Sequence, residues 1–535
     1  MARQTPWPLA LLIAGLLLGL VACQAPRQAG RLIVASRHRI DSVDPAAGTT
    51  VGALQLLSAL GDPLYAISAD GRLEPRLALS LPEVSGDGLR ARIRLRPGVR
   101  FQDGTAFDAE AMAFSLRRFL AIGKLSYLLG DRVRQVRVID PLTLELELRR
   151  PYSPLPRLLS AISLTPISPT AYRNHQQRFL NDRFVGTGPY RLTLFNAQQQ
   201  RLEPFAGYWG RPPANRGLEL VNLSNSTALY GAMQSGEVDV LLSTSLDNDQ
   251  QMALHRQALA GRLQEGVGPA LEIGYLSLLT SAPPFDDPRL RRALALSLDR
   301  TLVNARVSEN LRTSLRTVVP TMLPGAAAAS WPAFNPGAAR ALFSQAGYCH
   351  GRVLTVPLTF RSNIPSDRLF ALTWQAQLKR DLSDCVALQV TGMESTTAYR
   401  QLGDGAFPLI LLDWIADFPD ADNYLMPLLA CEQGLGNRCL RGASAASGSF
   451  WTEPGLEDAL LRSARLAGEE RRRLLVQLQR RTAAAVPYLP VWGVAPRAWA
   501  RASLRTPRFD GSGRLILMDL AEATGAQPEA TGEHR

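Results

Sequence analysis

The sequence predicts an α/β fold, because segments with the periodicity of strands alternate with segments with the periodicity of helices along its 535 residues. Hydrophobic residues make up 46% of the chain and charged residues 20%, a composition that is typical of globular domains and excludes disorder over most of the length. Five cysteines are too few to staple a chain of this size. We therefore expect hydrophobic cores, divided among about three to four domain-sized units.

The first half of the chain contains several elements that local patterns predict. Residues 32–35 form a short apolar run of strand type, and residues 89–95 alternate apolar and charged side chains, as a half-buried strand does. Asp108 is in the position of an N-cap, and apolar residues with helical spacing follow it. A second helix is predicted to have Ser226 as its cap, and an apolar strand over 238–241 follows that helix.

The clearest supersecondary signal in the second half is a β-α-β unit. A helix capped by Asn335 ends at Gly347, and the strand 353–358 comes next. A helix over roughly 367–380 then leads to the strand 386–390. Two strands joined by one crossover helix are normally parallel neighbours, so at least one sheet contains parallel strands.

The N-terminus predicts export and a lipid anchor. Residues 9–22 form an uninterrupted apolar run, shorter than the roughly 20 residues that span a bilayer, so 1–22 is interpreted as a signal peptide. The small residues before Cys23 resemble a bacterial lipobox, in which the cysteine becomes the lipid-bearing first residue; a chance cysteine after an ordinary signal peptide is the alternative. Residues 23–30 would form a tether. The mature chain is then expected to be periplasmic or otherwise extracytoplasmic, and attached to the membrane by lipid at Cys23.

The cysteines that remain after lipidation of Cys23 are expected to form disulfides, which persist outside the cytoplasm. Their spacing fits no zinc site, and no histidine lies at ligand spacing, so no metal is predicted. Cys349 and Cys385 each precede a strand of the β-α-β unit, and neighbouring strands would bring them to the same sheet edge. We therefore expect a Cys349–Cys385 bond, which leaves Cys431 to pair with Cys439.

Enzymatic and nucleic-acid functions are not predicted. The sequence lacks the G-x-S-x-G, H-E-x-x-H, Walker A and G-x-G-x-x-G motifs, so we assign no catalytic residues and no cofactor. The net charge of +12 comes from scattered arginines without an aromatic-interleaved basic stripe, and we expect no nucleic-acid partner. An acidic group over 413–422 lacks the spacing and glycine of a calcium loop.

Seven sequence blocks resemble, in order, those of one protein family. The blocks are DSVDP at 41–45, DGRLEPRLA at 70–78, LRPGVRFQDGT at 95–105, GTGPY at 186–190 with YW at 208–209, QSGEVD at 234–239, PFDDPRLRRALALSLDR at 284–300 and WIADFPD at 414–420. They resemble the bacterial extracellular solute-binding proteins of family 5, which include oligopeptide- and dipeptide-binding proteins of ABC importers. The resemblance extends from about residue 32 to about residue 495.

The resemblance implies a two-lobe periplasmic-binding-protein fold with mixed sheets, an extra insertion subdomain and a two-strand hinge. Lobe I would contain 31–272 and 488–520, with the insertion over about 46–184. Lobe II would contain 273–487, so the chain would cross between lobes near 270 and near 488. Residues 521–535 are rich in Ala, Gly, Thr and Glu and are predicted to form a disordered tail.

The resemblance also implies a function and a ligand site. The protein would be a monomer that captures a short peptide or similar amine-bearing solute and delivers it to an ABC permease and ATPase complex. Asp417 falls where peptide-binding members hold the ligand's α-amino group, Trp414 would supply a flat apolar wall, and Ile415 would supply main-chain hydrogen bonds. Asp413, which replaces a glycine, completes the predicted ligand-binding set. Leu411 stands where oligopeptide-binding members have an arginine for the peptide carboxylate.

Three alternatives stay open at this point. The same fold could bind a metal chelate, haem, an opine or a sugar. The protein could instead be a chemoreceptor or a chaperone-like lipoprotein without a role in transport. Asp417 could also serve only to cap the turn at Phe418 and Pro419.

Overall fold

The computed structural model describes residues 30–37 and 40–523. The predicted signal peptide, Cys23, nearly all of the tether and the greater part of the predicted C-terminal tail lie outside the described residues. Within the described ranges, no helix has both the length and the apolar character needed to span a bilayer.

The strands of the described residues are distributed along the whole chain. They are β1 Leu32–Ser36, β2 Tyr65–Ile67, β3 Leu73–Pro75, β4 Glu83–Val84, β5 Arg90–Arg94, β6 Val133–Asp140, β7 Thr143–Leu148, β8 Tyr190–Phe195, β9 Gln199–Pro204, β10 Leu218–Asn222, β11 Val240–Leu242, β12 Leu263–Val267, β13 Glu272–Leu278, β14 Thr313–Ser314, β15 Leu354–Arg361, β16 Val386–Met393, β17 Leu409–Ile415, β18 Gln433–Leu435, β19 Arg438–Arg441, β20 Tyr488–Val494 and β21 Arg497–Arg501.

The α-helices alternate with these strands, as the α/β prediction requires. They are α1 Val51–Leu60, α2 Ala109–Ile122, α3 Tyr127–Gly130, α4 Leu155–Leu158, α5 Ser226–Gln234, α6 Asn248–Leu259, α7 Pro288–Ser297, α8 Arg300–Ser308, α9 Pro336–Gln345, α10 Pro365–Asp381, α11 Ser395–Leu402, α12 Asp422–Leu429, α13 Ala443–Ala446, α14 Leu456–Arg465 and α15 Gly468–Ala485.

A seven-stranded sheet, called here the first sheet, has the order β12-β21-β11-β1-β10-β9-β8. β1 lies in its interior and pairs in parallel with β10 and β11, while the remaining pairs are antiparallel. Apolar residues on both faces, including Val34 on one and Trp499 on the other, pack into separate buried clusters. The sheet is therefore mixed and covered on both sides.

A six-stranded sheet, called here the second sheet, has the order β14-β20-β13-β17-β15-β16. The β15-α10-β16 segment is the predicted β-α-β unit, with Leu354 in parallel register with Val386. The preceding helix α9 has the predicted cap, because the Asn335 side chain accepts a hydrogen bond from the Ala338 amide. Gly347 follows that helix with a φ of +86°, a conformation that suits glycine.

A third unit, called here the inserted unit, is built on the four-stranded sheet β4-β5-β7-β6. Helix α2 packs against it through one apolar face, in a core that contains Phe101, Met112 and Leu146. The predicted cap of α2 is confirmed, because the side chain of Asp108 accepts a hydrogen bond from the amide of Ala111. The unit lies within the range predicted for the insertion.

Both predicted disulfides are present. Cys349 and Cys385 are bonded next to the parallel strands β15 and β16, with their Cα atoms 4.0 Å apart. Cys431 and Cys439 are bonded across the small β18-β19 hairpin, eight residues apart in sequence. The strand pairing therefore brings the first pair together in the way that the β-α-β pattern implied.

The structure differs from the sequence-based prediction at two boundaries. The predicted second crossing near 488 is wrong by one strand, because β20 at 488–494 pairs with β13 in the second sheet and the chain returns to the first sheet only at Arg497. All but the last residue of β20 are buried, so its pattern did not indicate which sheet it joins. The cap of α5 is Asn225 rather than Ser226, because the Asn225 side chain accepts the hydrogen bond from Ala228.

Candidate functional site

A cleft of about 600 Å³ lies between the first sheet, the inserted unit and the second sheet. The two chain crossings, at 268–271 and 495–496, contribute Pro269 and Pro496 to its wall. Leu54, Gln55 and Arg514 line it from the side of the first sheet. The cleft therefore lies where the two halves of the molecule meet, which is a common place for a small-molecule site.

At one end of the second sheet, where several strands begin or end, charged residues point into this cleft. Strand β13 begins at Glu272, which pairs with Ile415 at the end of β17 and with Val494 at the end of β20. Arg312 directly precedes β14, whose first residue pairs with Gly493 of β20. Four adjacent strands thus begin or end at this end of the sheet, and the strand pairing brings together residues that are far apart in sequence.

Two of the predicted ligand-binding residues, Asp417 and Ile415, line the cleft. The side chain of Ile415 is exposed, which is unusual for an isoleucine at the end of an otherwise buried strand. Asp417 follows in the loop between β17 and α12, and its amide donates a hydrogen bond of 3.0 Å to Oδ1 of Asn423. Strand β17 and helix α12 therefore fix both ends of the loop that carries Asp417.

The carboxyl of Asp417 is in an environment that disfavours its charge. Burial raises its pKa above the ordinary value, and a hydrogen bond from Asn423 opposes that rise only in part. Just before helix α12, Oδ1 of Asp420 accepts a hydrogen bond of 2.9 Å from the amide of Asp422, and the N-cap position is occupied by Ala421 without a side-chain cap. The turn at Phe418 and Pro419, which Asp417 was alternatively expected to cap, is closed by a hydrogen bond of 2.9 Å from the amide of Asp420 to the carbonyl of Phe418.

The other two predicted residues do not line the cleft. The Trp414 indole Nε1 donates a hydrogen bond of 2.7 Å to the carbonyl of Asn423, and its ring packs against the core of the second sheet. Asp413 forms an ion pair of 2.6 Å with Arg361 and accepts a hydrogen bond of 3.0 Å from the Tyr399 hydroxyl. Successive strand residues point to opposite faces, so the period of two could have shown that Trp414 and Ile415 face different sides.

Sequence reasoning did not identify Glu272 and Arg312 as residues of the cleft. Burial raises the pKa of Glu272 to about 7, and the nearby negative charge of Asp413 contributes to the rise. The Arg312 guanidinium stacks over Trp492, with Cζ 4.3 Å from the ring centroid, and burial lowers its pKa. The signal for Glu272 was its position as a charged residue at the start of an apolar strand; no local pattern indicated Arg312.

The loop that follows Asp417 is docked against the inserted unit by a group of buried charges. We call this group the latch cluster, and its members come from the inserted unit, the loop with the first turn of α12, and helix α15: Tyr152, Arg157, Asp420, Asp422 and Arg471. The Tyr152 hydroxyl donates a hydrogen bond of 2.7 Å to Asp422, and Arg157 donates one of 3.0 Å to the carbonyl of Pro419. Asp420 pairs with Arg471 at 2.6 Å and lies 3.9 Å from Arg157.

An apolar contact reinforces this docking. Phe418, from the same loop, is buried in the core of the inserted unit together with Ala464 of helix α14. The amide of Ser153 also donates a hydrogen bond of 2.7 Å to the carbonyl of Ala464. The inserted unit therefore holds the loop from Phe418 onward, strand β17 of the second sheet holds it up to Ile415, and Asp417 lies between these two attachments.

Comparison with known sequences identifies one matching family model and a group of relatives. The family model described as bacterial extracellular solute-binding proteins, family 5, middle part, matches residues 72–436. The glutathione-binding protein GsiB of Shigella flexneri is 25% identical over 413 residues, which cover 75% of this chain and 78% of that protein. The same protein of Escherichia coli K12 is also 25% identical, with the same coverage.

Comparison with solved structures shows the same fold in proteins of low sequence identity. NikA from Brucella suis, in complex with Fe(III)-EDTA, matches with a TM-score of 0.80 at 22% identity, over 92% of this chain and all of NikA. A dipeptide-binding protein from Pseudoalteromonas sp. SM9913, in complex with Met-Leu, matches with a TM-score of 0.73 at 21% identity and the same coverage. These matches show a mixed α/β fold of the periplasmic-binding-protein type.

Proposed function

The chain belongs to family 5 of the bacterial extracellular solute-binding proteins, and from this premise we propose that it captures a short peptide or similar amine-bearing solute in the cleft. Proteins of this family are the solute-binding components of ABC importers and not enzymes. The captured solute would be delivered to a membrane permease and its ATPase. The cargo class is the specific part of the proposal.

The observation that carries the proposal is the carboxyl of Asp417 at the wall of the cleft, which has a hydrogen bond from Asn423 and the more distant charge of Arg132 but no ion-pair partner among the described residues. No cation of the described residues lies within the 4.0 Å of an ion pair, and burial raises the pKa of this carboxyl. An ammonium group of a cargo would supply the missing cation and donate charge-assisted hydrogen bonds to the carboxylate. In a closed cleft without bulk water, such a contact is stronger than at an exposed surface.

The main chain near Asp417 supports an extended ligand. β15 pairs with β17 only at Leu409 and Ile410 in the described structure, so the later residues of β17 have no strand partner on that side. The amino-terminal residue of an extended peptide could share backbone hydrogen bonds with the end of this free segment, at Ile415. This arrangement would bring the amino end of the peptide close to Asp417.

Closure of the cleft would occur by bending of the two crossing segments, 268–271 and 495–496. Both are short connections between strands of different sheets, which is the usual construction of a hinge. The halves on either side correspond to the two predicted lobes, with β20 transferred to lobe II. The loaded, closed form would be the form that the permease recognises.

The location proposed for the protein is periplasmic or otherwise extracytoplasmic, with attachment to a membrane by lipid at Cys23. The apolar run at 9–22 and the small residues before Cys23 support this proposal. We further propose that the protein works as a monomer, with the permease and ATPase complex as its partner.

Glutathione is a second, narrower candidate within the same cargo class. The curated relatives that match three quarters of this chain are glutathione-binding proteins. Glutathione is a tripeptide with a free amino group and free carboxylates, so the chemistry proposed for Asp417 applies to it without change. Metal chelates form the competing class, because NikA with Fe(III)-EDTA has the same fold.

Identification of the bound solute tests the cargo class. The protein is purified from its own host without denaturation, and the retained solutes are released and identified by mass spectrometry. Wild type is compared with Asp417→Asn and with Asp384→Asn, a control change at an exposed ion pair. Peptides retained by wild type and by the control, but lost from Asp417→Asn, are the expected result. A chelate, haem or sugar in place of peptides would contradict the proposal.

A further inference from the structure

We infer that Arg312 binds an anionic group of the cargo, a carboxylate in the case of a peptide, and that Glu272 opposes the binding of this anion. The inference rests on the proposed function, because it concerns the same cleft and names a second chemical feature of its cargo. The cargo would then carry a positive group at Asp417 and a negative group at Arg312.

Arg312 is a half-buried cation at the cleft wall that lacks an adequate partner. Its Nη1 is buried and has no hydrogen-bond partner in the part of the chain that the structure describes, and no carboxylate there lies within 4.0 Å. Two other arginines of the cleft wall are paired, Arg497 with Glu265 at 2.7 Å and Arg37 with Asp247 at 3.3 Å. A guanidinium that has lost part of its water and has no anion at ion-pair distance is costly, so a bound anion at Arg312 is favoured.

The ring of Trp492 prepares Arg312 for this role. The guanidinium lies over the indole at 4.3 Å, and such stacking fixes the plane of the fork from which N–H groups donate. The backbone around it is fixed as well, because Asn304 donates a hydrogen bond of 2.6 Å to the carbonyl of Arg312. A planar and fixed fork matches the two oxygens of a carboxylate. The side chain is already ordered, so it loses little conformational freedom when cargo binds.

In this chain, the position that carries an arginine in oligopeptide-binding members cannot bind the anion in place of Arg312. Leu411 occupies that position, and its side chain is fully buried opposite Leu276 in the second sheet. An anionic group of the cargo cannot reach this position, and Leu411 offers no hydrogen-bond donor. Arg312, on a different segment of the chain, therefore supplies the cation on this side of the cleft.

Glu272 supplies the opposing charge. It pairs with Ile415 of β17, the strand that leads to Asp417, and on its other side with Val494 of β20, the strand that pairs with β14 next to Arg312. The charged groups that act on it are Asp413, Arg312, Arg361 and Asp367. Arg361 is already paired with Asp413 and Asp367 at 2.6 and 2.7 Å, so Arg312 is the cation whose charge Glu272 offsets in the empty cleft.

An anion at Arg312 would repel the Glu272 carboxylate. The carboxylate would then accept a proton from water when the cargo binds, and its nearly neutral pKa makes this uptake easy at neutral pH. Removal of the negative charge from Glu272 should therefore strengthen the binding of an anionic cargo. Arg312 and Glu272 thus have opposite predicted effects, which a purely structural role for either residue would not produce.

The separation of the two proposed anchor points suits a short cargo. Three strand spacings separate β14, which follows Arg312, from β17, which precedes Asp417. At roughly 4.8 Å per spacing this is about 14 Å between the strands, and the arginine side chain shortens the gap. An extended peptide advances about 3.4 Å per residue, so a cargo of about two to four residues could touch both anchors.

A competition experiment tests the inference. The protein is incubated with an equimolar mixture of tripeptides with free carboxyl ends and the same tripeptides as C-terminal amides, and the retained peptides are measured by native mass spectrometry. Wild type should prefer the free acids by about 30-fold or more, as expected when one side of a buried charge pair is missing. Arg312→Gln should abolish this preference. If the glutamine variant does not fold, Arg312→Lys replaces it in the experiment and should keep part of the preference.

The control is Arg380→Gln, which changes an exposed arginine paired with Asp381 on helix α10 and should leave the preference unchanged. Glu272→Gln should increase the retention of free acids and leave that of amides unaltered. Equal retention of acids and amides by wild type would overturn the role of Arg312 and leave the peptide proposal intact. Weaker retention of acids by Glu272→Gln would overturn the role of Glu272. Retention of neither class would contradict the proposed function itself.

Discussion

The hydroxyl of Tyr152 donates a hydrogen bond of 2.7 Å to the carboxylate of Asp422, and this contact joins the inserted unit to the first turn of helix α12. The residue pair is fully buried and separated by 270 positions in the sequence. Because Asp417 lies five residues before Asp422, the position of the proposed ligand anchor depends on how the inserted unit is docked. The latch cluster therefore connects the architecture of the molecule to its proposed cargo site.

The latch cluster should contribute strongly to stability. Asp420→Asn removes the anion that pairs with Arg471 and leaves that cation buried without its partner. Loss of one partner from a buried ion pair is expected to cost about 3–5 kcal/mol in the free energy of unfolding. Urea unfolding of the variant measures this loss. Asp70→Asn breaks an exposed pair with Arg72 and serves as the control, with an expected change much smaller than that of Asp420→Asn.

Glu272 should make the empty protein less stable at alkaline pH. Its pKa in the folded protein is about 7, above the ordinary value of 4.5, so the folded state binds the proton more tightly than the unfolded chain. The stability that the protonated carboxyl provides is complete below about pH 4.5 and is lost as the pH rises through 7. Glu272→Gln should then be more stable than wild type at pH 8, by up to about 3 kcal/mol, and equally stable near pH 4.5. An equal difference at both pH values would contradict this prediction.

The two disulfides should differ in their contribution to stability. The Cys349–Cys385 bond closes 36 residues and the Cys431–Cys439 bond only eight. The chain-entropy relation gives about 4 kcal/mol for the longer loop and about 2.5 kcal/mol for the shorter one. Unfolding of the Cys349→Ala/Cys385→Ala and Cys431→Ala/Cys439→Ala variants, compared with wild type, measures both values. A larger loss for the shorter loop would show that loop closure does not set the order.

The lipid anchor is testable without any knowledge of the cargo. Cys23→Ser should abolish labelling by a radioactive or clickable fatty acid and move the protein from the membrane fraction to the soluble fraction. Cys431→Ser leaves the proposed lipid site intact and controls for loss of a cysteine in general. Membrane attachment that persists in Cys23→Ser would show that the protein is held in another way.

Local patterns in the sequence predicted a large part of the fold. The caps at Asp108 and Asn335 and the parallel pair β15 and β16 follow from short-range periodicity and capping chemistry, and the structure confirms them. The Cys349–Cys385 bond followed from the same β-α-β pattern. In each case the decisive residues lie within one supersecondary unit, where local signals are strong.

The candidate site was only partly predictable, because long-range strand pairing assembles it. Asp417 was identified through family resemblance, but Glu272 and Arg312 reach the cleft through the order of β14, β20, β13 and β17, which no local pattern encodes. The sheet membership of β20 was missed for a related reason, since a strand that is buried on both faces has no alternation to indicate its neighbours. The face of β17 on which Trp414 lies could have been predicted, because side chains along a strand alternate between the two faces of the sheet.

The central claim is that Asp417 holds an ammonium group of the cargo, and calorimetry of Asp417→Asn tests it most directly. The peptides that wild type retains are titrated in free form and in N-acetylated form. Free peptides should bind wild type more tightly than acetylated ones, and Asp417→Asn should lose about 2–5 kcal/mol of binding free energy for the free form alone, while its thermal unfolding stays close to that of wild type. Equal affinities of wild type for free and acetylated peptides, or an Asp417→Asn variant that binds free peptides as tightly as wild type, would contradict the claim.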